Sequence, residues 1–300
     1  NSSLRTSSNL FVMNLTTADL IMSLLDFPMF AVSSFNGCWL LGYTGCQMYG
    51  STTSLCSLVS INTLAAISFD RYFAVVHRLS PMHKMKKSTS GVIIACIWLL
   101  SITWSLMPLF GIGTYRLEGL GTSCTFNYID QGHTYRLFFL CLVTFNFFIP
   151  LLIITYSYAQ IFAYVKRVKR ELNSLETVPD AKARRKQITT KAEIRTAITV
   201  IVVITIFCTA WTPYVVIAFI GLFGPRNSIT PLISAFPNVL AKVCTISNPI
   251  LYTFGNKDLR RKTKALFLFK PRQSSLRSTY ATAGITIQEH SLINHIPMHS

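Results

Sequence analysis

The run over residues 231–254 reads PLISAFPNVLAKVCTISNPILYTF, with Lys242 at its middle. Coiled as a helix it is long enough to cross the hydrocarbon of a bilayer, which takes about 20 residues. At that depth the ammonium cannot snorkel to either surface. Keeping it charged costs about 2.5–3.5 kcal/mol on insertion scales. Two arrangements relieve the cost: the amine pairs with a carboxylate, or it condenses with an aldehyde to form a Schiff base. Both together are expected here, so the rest of the chain is read for an acid and for a slot that admits a ligand.

Five further apolar runs fall at about 10–34, 45–76, 91–110, 135–165 and 194–223, which makes six spans with 231–254. Only 13% of residues are charged, roughly half the share in a soluble domain. The sequence therefore predicts an all-α, polytopic membrane helix bundle spanning 1–269 in place of soluble domains. A net charge of +17 suits nucleic acid as well as membranes. The basic residues, however, lie in loops between spans, so the expected surface is a lipid bilayer and no nucleic-acid partner is expected. No cleavable signal peptide is expected either, because no charged segment with a short apolar core opens the chain.

Arginine and lysine set the orientation. Arg78, Lys84, Lys86 and Lys87 follow the second span, nine basic residues lie between Lys166 and Lys191, and five more fall between Lys257 and Lys264. The opposite loops hold Arg116, Arg136 and Arg226. The basic face, with the carboxyl terminus, is expected to be cytoplasmic in a cell-membrane protein. Six spans put both ends there, where the Asn1-Ser2-Ser3 sequon goes unused. Residues 256–269 pattern as a short amphipathic helix on the inner leaflet, and 270–300 as a disordered cytoplasmic tail.

Several residues inside or beside the spans carry chemistry. Cys38, Cys46 and Cys124 lie toward the oxidising face, where Cys124 can bond to Cys46 or to Cys38. The other five cysteines fall in apolar runs and read as packing. Asp70-Arg71-Tyr72 ends the second span; Arg71 either snorkels or forms a latch with Glu193. Asn248-Pro249 with Tyr252 frees a backbone carbonyl that polar groups must satisfy, and the buried Asp19 is one candidate partner. Trp211 and Tyr214 flank Pro213, and read either as packing or as the wall of a ligand slot. Phe145, Phe147, Phe148 and Tyr49 are further wall candidates. Glu118, the acid preceding Cys124 in the loop 111–134, is a solvated loop residue unless the loop folds inward to face Lys242.

Taken in order, these residues resemble the class A G-protein-coupled receptors over nearly the whole chain. The match runs through Asn14-Leu15-x-x-Ala18-Asp19, Cys46, Asp70-Arg71-Tyr72, Trp98, Cys124, Pro150 with Tyr158, Trp211-x-Pro213 and Asn248-Pro249-x-x-Tyr252. Ala210 stands where the family usually has a cysteine. Within that family Lys242, seven residues before Pro249, falls where opsins bind retinal, so the chain resembles an opsin. The resemblance implies a protonated retinal Schiff base on Lys242, chromophore-pocket roles for Trp211, Tyr214 and Tyr49, and a Cys46–Cys124 disulfide. It also implies an activation switch through Asp70, Arg71, Tyr72, Glu193, Asp19, Tyr158, Asn248, Pro249 and Tyr252. Light would then activate a heterotrimeric G protein, with arrestin and a receptor kinase as further partners and no enzymatic activity.

Two departures refine the resemblance. Tyr49 occupies the place of the vertebrate visual counterion, as in invertebrate and melanopsin-like pigments. Those use a loop glutamate six residues before the loop cysteine, and Glu118 stands six before Cys124. Glu118 is therefore the implied counterion, and a bistable pigment the implied type. The second departure is that the family has seven spans, whereas Leu4-Arg5-Thr6 resembles its first cytoplasmic loop. The opening helix is thus expected to be missing from this sequence. Two rival readings are a retinal photoisomerase of the peropsin kind and a receptor for a diffusible ligand. The Asn256-Lys257-Asp258 stretch leans toward an inhibitory-type G protein.

Overall fold

A computed structural model describes residues 7–76, 85–174, 181–225 and 229–255, with the side chains of 169, 171–197 and 248–255 not described. The expectations for residues 1–6, 256–269 and 270–300 lie outside the described residues, as do those for the side chains of Glu193, Asn248, Pro249 and Tyr252. The helices are α1 (Ser7–Phe35), α2 (Gly42–Val76), α3 (Lys87–Leu106), α4 (His133–Val143), α5 (Ile149–Ser174), α6 (Ala181–Phe223) and α7 (Pro231–Gly255). A π-helical turn, Thr144–Phe148, joins α4 to α5, so among the described residues six rods correspond to the six apolar runs. Five of them are long and apolar enough to cross a membrane; the apolar part of α7 described in full, Pro231–Ser247, is shorter.

The outer faces carry leucine, valine and phenylalanine. Leu20, Leu24, Val92, Leu99, Leu152 and Phe162 are all exposed. Such a belt is intolerable in water and natural against lipid. Inside, Phe11, Leu15, Leu64, Val200, Val203 and Phe207 form the main core, where α1, α2 and α6 meet. Polar side chains then bind the helices to each other. Asn14 Nδ2 donates to Thr63 Oγ1 at 2.8 Å, and Trp98 Nε1 donates to Asn14 Oδ1 at 2.8 Å, which links α1, α2 and α3 through one amide. With no hydrophobic drive between helices in lipid, such bonds set register.

Two features depart from the sequence reading. The span expected over 135–165 is not a uniform helix. Pro150 has no N–H to return to the Asn146 carbonyl, and the ladder slips to the π pattern, with Ile149 N donating to Thr144 O. The slip leaves Asn146 buried, close to Asn62 on α2. The other departure is the loop 111–134, which is not featureless: β1 (Tyr115–Leu117) and β2 (Cys124–Phe126) form an antiparallel hairpin that pairs Tyr115 with Phe126 and Leu117 with Cys124.

That hairpin is pressed between two helices. On the α2 side, Gln47 Nε2 donates to Tyr115 O at 2.8 Å, and Tyr115 Oη reaches past α2 to donate to Ser105 O of α3 at 2.8 Å. Gly50 makes room for the ring: a Cβ there would lie 2.5 Å from Tyr115 Cδ1. On the α7 side, Gly119 N donates to Ser234 Oγ at 3.0 Å, and a Cβ on Gly119 would lie 2.4 Å from Pro231 Cα. Gly50→Ala should therefore displace the tyrosine and cost about 1–3 kcal/mol by overpacking. The check is thermal melting in detergent or nanodiscs; an unchanged melting temperature would show that the hairpin gives way freely.

Candidate functional site

Lys242 lies on α7, and its Nζ donates to Tyr49 Oη on α2 at 2.8 Å and to Asn238 Oδ1, one turn back on α7, at 2.5 Å. The amine also sits 3.9 Å from the centroid of the Phe30 ring, contributed by α1. A cation over an aromatic face is stabilised most where water is scarce. Three helices thus converge on one nitrogen.

Glu118 sits in the hairpin turn, only 7% exposed. Its Oε1 accepts from Asn238 Nδ2 at 3.0 Å and from Ser123 Oγ at close range, and Asn238 Nδ2 also contacts Ser123 Oγ. Burial pushes its carboxyl above the usual range; the Ser123 and Asn238 hydrogen bonds and the Lys242 charge pull it back. Among the described residues no direct Lys242–Glu118 ion pair forms. The Asn238 amide stands between them, accepting from the amine and donating to the acid.

The Cys46–Cys124 disulfide is present, and it ties β2 to α2 one turn from Tyr49. Cys38, the alternative partner, is free and exposed. A cavity opens beside this cluster. It is lined by Glu118, Asn238 and Ala241, by Trp211 and Tyr214 of α6, and by Phe138, Phe139 and Phe147. Trp211 stacks on Phe207 and meets Tyr214 edge-on, and Tyr214 Oη lies 3.0 Å from Thr125 Oγ1 of β2. Phe147 faces the cavity, while Phe145 and Phe148 are 55% and 45% exposed on the outside, so those two wall expectations are corrected. Tyr49 does not line the cavity; it holds the amine at its edge.

At the carboxyl-terminal end of α2 Arg71 pairs with Asp70, Nη2 to Oδ2 at 2.6 Å, and Ser8 of α1 contacts both. Tyr72 meets Tyr156 of α5 edge-on. Tyr158 packs against the core next to Val75 and Ile161. Asp19 is buried on α1.

Three residues at the site have no place in the sequence reading. Asn238 stands one helical turn before Lys242, the spacing at which side chains on a helix meet. Phe30 gave no signal among many span phenylalanines. Asp26 did give one: it is an acid inside an apolar run, which it shares with Asp19, and a charge in such a run is the same kind of signal that singles out Lys242.

The family model described as 7 transmembrane receptor (rhodopsin family) matches residues 1–252. Among curated proteins the chain is similar to "Rhodopsin, GQ-coupled" of Mizuhopecten yessoensis, 36% identical over 98% of this chain and 62% of that one. It is similar also to rhodopsin of Enteroctopus dofleini, 35% identical over 88% of this chain and 59% of that one. Melanopsin of Branchiostoma belcheri is 35% identical over 87% of this chain and 38% of its own length. The chain therefore spans less than two thirds of the length of these relatives. Among solved structures, squid rhodopsin superposes with a TM-score of 0.80 at 32% identity, covering 96% of this chain and 84% of that one.

Proposed function

Since this chain belongs to the rhodopsin family of seven-transmembrane receptors, we propose that it is a light-sensing opsin that holds retinal on Lys242 and activates a heterotrimeric G protein. One observation carries the reading: an amine at the edge of an aromatic-walled cavity, with a buried acid one amide away. Retinal supplies light absorption and a change of shape when it is bound. The described residues fit it. Lys242 offers the nitrogen, Ala241 leaves room beside it, and Trp211, Tyr214, Phe139 and Phe147 supply flat apolar walls for a polyene.

The chain's own groups do the remaining work. Glu118, through Asn238, balances a positive charge on the Lys242 nitrogen, and without such an acid burial alone would favour the neutral form. Tyr49 and Asn238 orient the nitrogen. Trp211 and Tyr214 belong to α6, so any change in what they pack against bears directly on that helix. At the opposite end the Asp70–Arg71–Ser8 cluster supports a resting latch, with Tyr72, Tyr158, Asp19, Glu193, Asn248, Pro249 and Tyr252 as the rest of the switch. The charge distribution supports a cytoplasmic carboxyl terminus, and arrestin and a receptor kinase are proposed as later partners. The name of the Mizuhopecten relative favours a Gq-type partner over the inhibitory type to which Asn256-Lys257-Asp258 leans.

The test is reconstitution of the chain in membranes with 11-cis-retinal. A visible band at neutral pH and light-dependent nucleotide exchange on Gq are the expected results. No visible band favours a diffusible-ligand receptor; a band with photoisomerisation but no exchange favours a photoisomerase. In the same preparation Glu118→Gln should move the alkaline loss of the visible band to lower pH by about two units, the scale of one removed charge at intermediate dielectric. An unmoved titration would remove Glu118 from the counterion role.

A further inference from the structure

Asp26 sits midway along α1 and is 1% exposed. Its Oδ2 accepts from Thr53 Oγ1 of α2 at 2.8 Å. Its Oδ1 accepts from no donor among the described residues. A buried carboxylate with one oxygen unsatisfied is expensive, and it persists where a positive charge offsets it. The surroundings supply one. Phe30, one turn further along α1, lies under the Lys242 amine, and Tyr49, one turn before Thr53 on α2, accepts a hydrogen bond from it. Asp26 and Thr53 thus occupy the layer directly beneath two of the amine's own contacts, and the Asp26 and Lys242 charges act on each other electrostatically.

We propose that Asp26 is a second counter-charge for the Lys242 nitrogen, so that the site divides its negative charge between a membrane helix and the hairpin. Glu118 approaches from the extracellular hairpin through Asn238, and Asp26 from the opposite side of the Phe30–Tyr49 layer. The titratable groups facing Asp26 from its neighbours are few. Tyr49 and Cys56 belong to α2 and Lys242 to α7; Cys96 of α3 is exposed, and Asp19 lies two turns away on α1 itself. Lys242 is the cation among them. An acid on each side keeps the nitrogen charged when one acid is lost, and it lets the charge be drawn toward either side as the nitrogen turns.

This inference rests on Lys242 holding the chromophore, and its test separates the two. In the retinal-loaded chain Asp26→Asn should lower the pH midpoint of the alkaline loss of the visible band by about two units. Asp26→Asn combined with Glu118→Gln should leave no visible band at neutral pH. Thr53→Val, which keeps shape and removes the donor to Oδ2, should lower the midpoint by a smaller step; it carries the test if Asp26→Asn does not fold. Midpoints equal to the unmodified chain's in Asp26→Asn, or in Thr53→Val where the first does not fold, overturn the proposal. The chromophore-free chain gives an independent readout. Carboxyl infrared bands from isotope-labelled aspartate should show a new protonated acid in Lys242→Ala that is missing when Asp26→Asn is added. If Lys242→Ala produces no such band, Asp26 is not paired with the amine, whatever retinal does. A wild-type chain with no visible band at all sinks the opsin reading instead and leaves the infrared result standing.

Discussion

Replacing Lys242 with alanine should abolish the visible band completely in a chain reconstituted with retinal and leave the bundle folded. The expected effect is all or none because this nitrogen is the proposed attachment point, and the other lysines that fall within the described spans, Lys87 and Lys166, stand at span ends. Lys242→Arg sharpens the test. It keeps a positive charge near Glu118 and Asp26, so the electrostatic part of the site persists, but a guanidinium is never deprotonated in a protein and does not condense with an aldehyde. Both variants should lack the band. Borohydride reduction of the unmodified pigment, followed by peptide mapping, should place the polyene on residue 242. A band that survives in Lys242→Ala, or a label found on another residue, refutes the assignment of the amine.

Much of this is legible in the sequence because membranes punish charge. Lys242 and Glu118 stand out in the sequence as a cation in an apolar run and a lone acid before a loop cysteine, and the structure brings them to either end of one amide. The six spans were legible for the same reason. Their ends were less so. Helix α6 begins at Ala181, well before the apolar run at about 194, because alanine, lysine and arginine continue a helix outside lipid as readily as leucine does within it. The β1–β2 hairpin was not legible, since two three-residue strands carry almost no pattern and are held by the disulfide and by Tyr115. Asn238 escaped because an uncharged amide in a span has too many ordinary uses. Asp26 carries the same signal as Lys242, a charge inside an apolar run, and its role becomes visible only with its place beneath Phe30 and Tyr49.

The second large effect concerns the disulfide. Cys124→Ser should lower stability by about 4–5 kcal/mol in the chain-entropy account, since the bond closes a sequence separation of 78 residues. The loss also falls on the site. The Cys46–Cys124 link, Tyr115 under Gly50 and Gly119 on Ser234 are what hold Glu118 inside the bundle. Freed at Cys124, the turn can carry its acid back to water, where a carboxylate is well solvated. The variant should therefore melt lower and bind retinal poorly, and any pigment that forms should titrate at lower pH, as in Glu118→Gln. Thermal melting and pH titration on one preparation separate the two consequences. A variant that melts low but titrates normally would show that the helices, and not the bond, position the acid.

Asn238 has a consequence of its own. Because an amide neither gains nor loses a proton across the physiological range, the link it makes between base and acid transmits orientation and forbids proton transfer along itself. The nitrogen and Glu118 are thereby insulated from direct neutralisation while remaining geometrically coupled. A rotation at residue 242 must release the amide's oxygen, and the amide's nitrogen then loses its alignment on the hairpin. Movement deep in α7 is in this way reported at the β1–β2 hairpin by the swing of a single uncharged side chain.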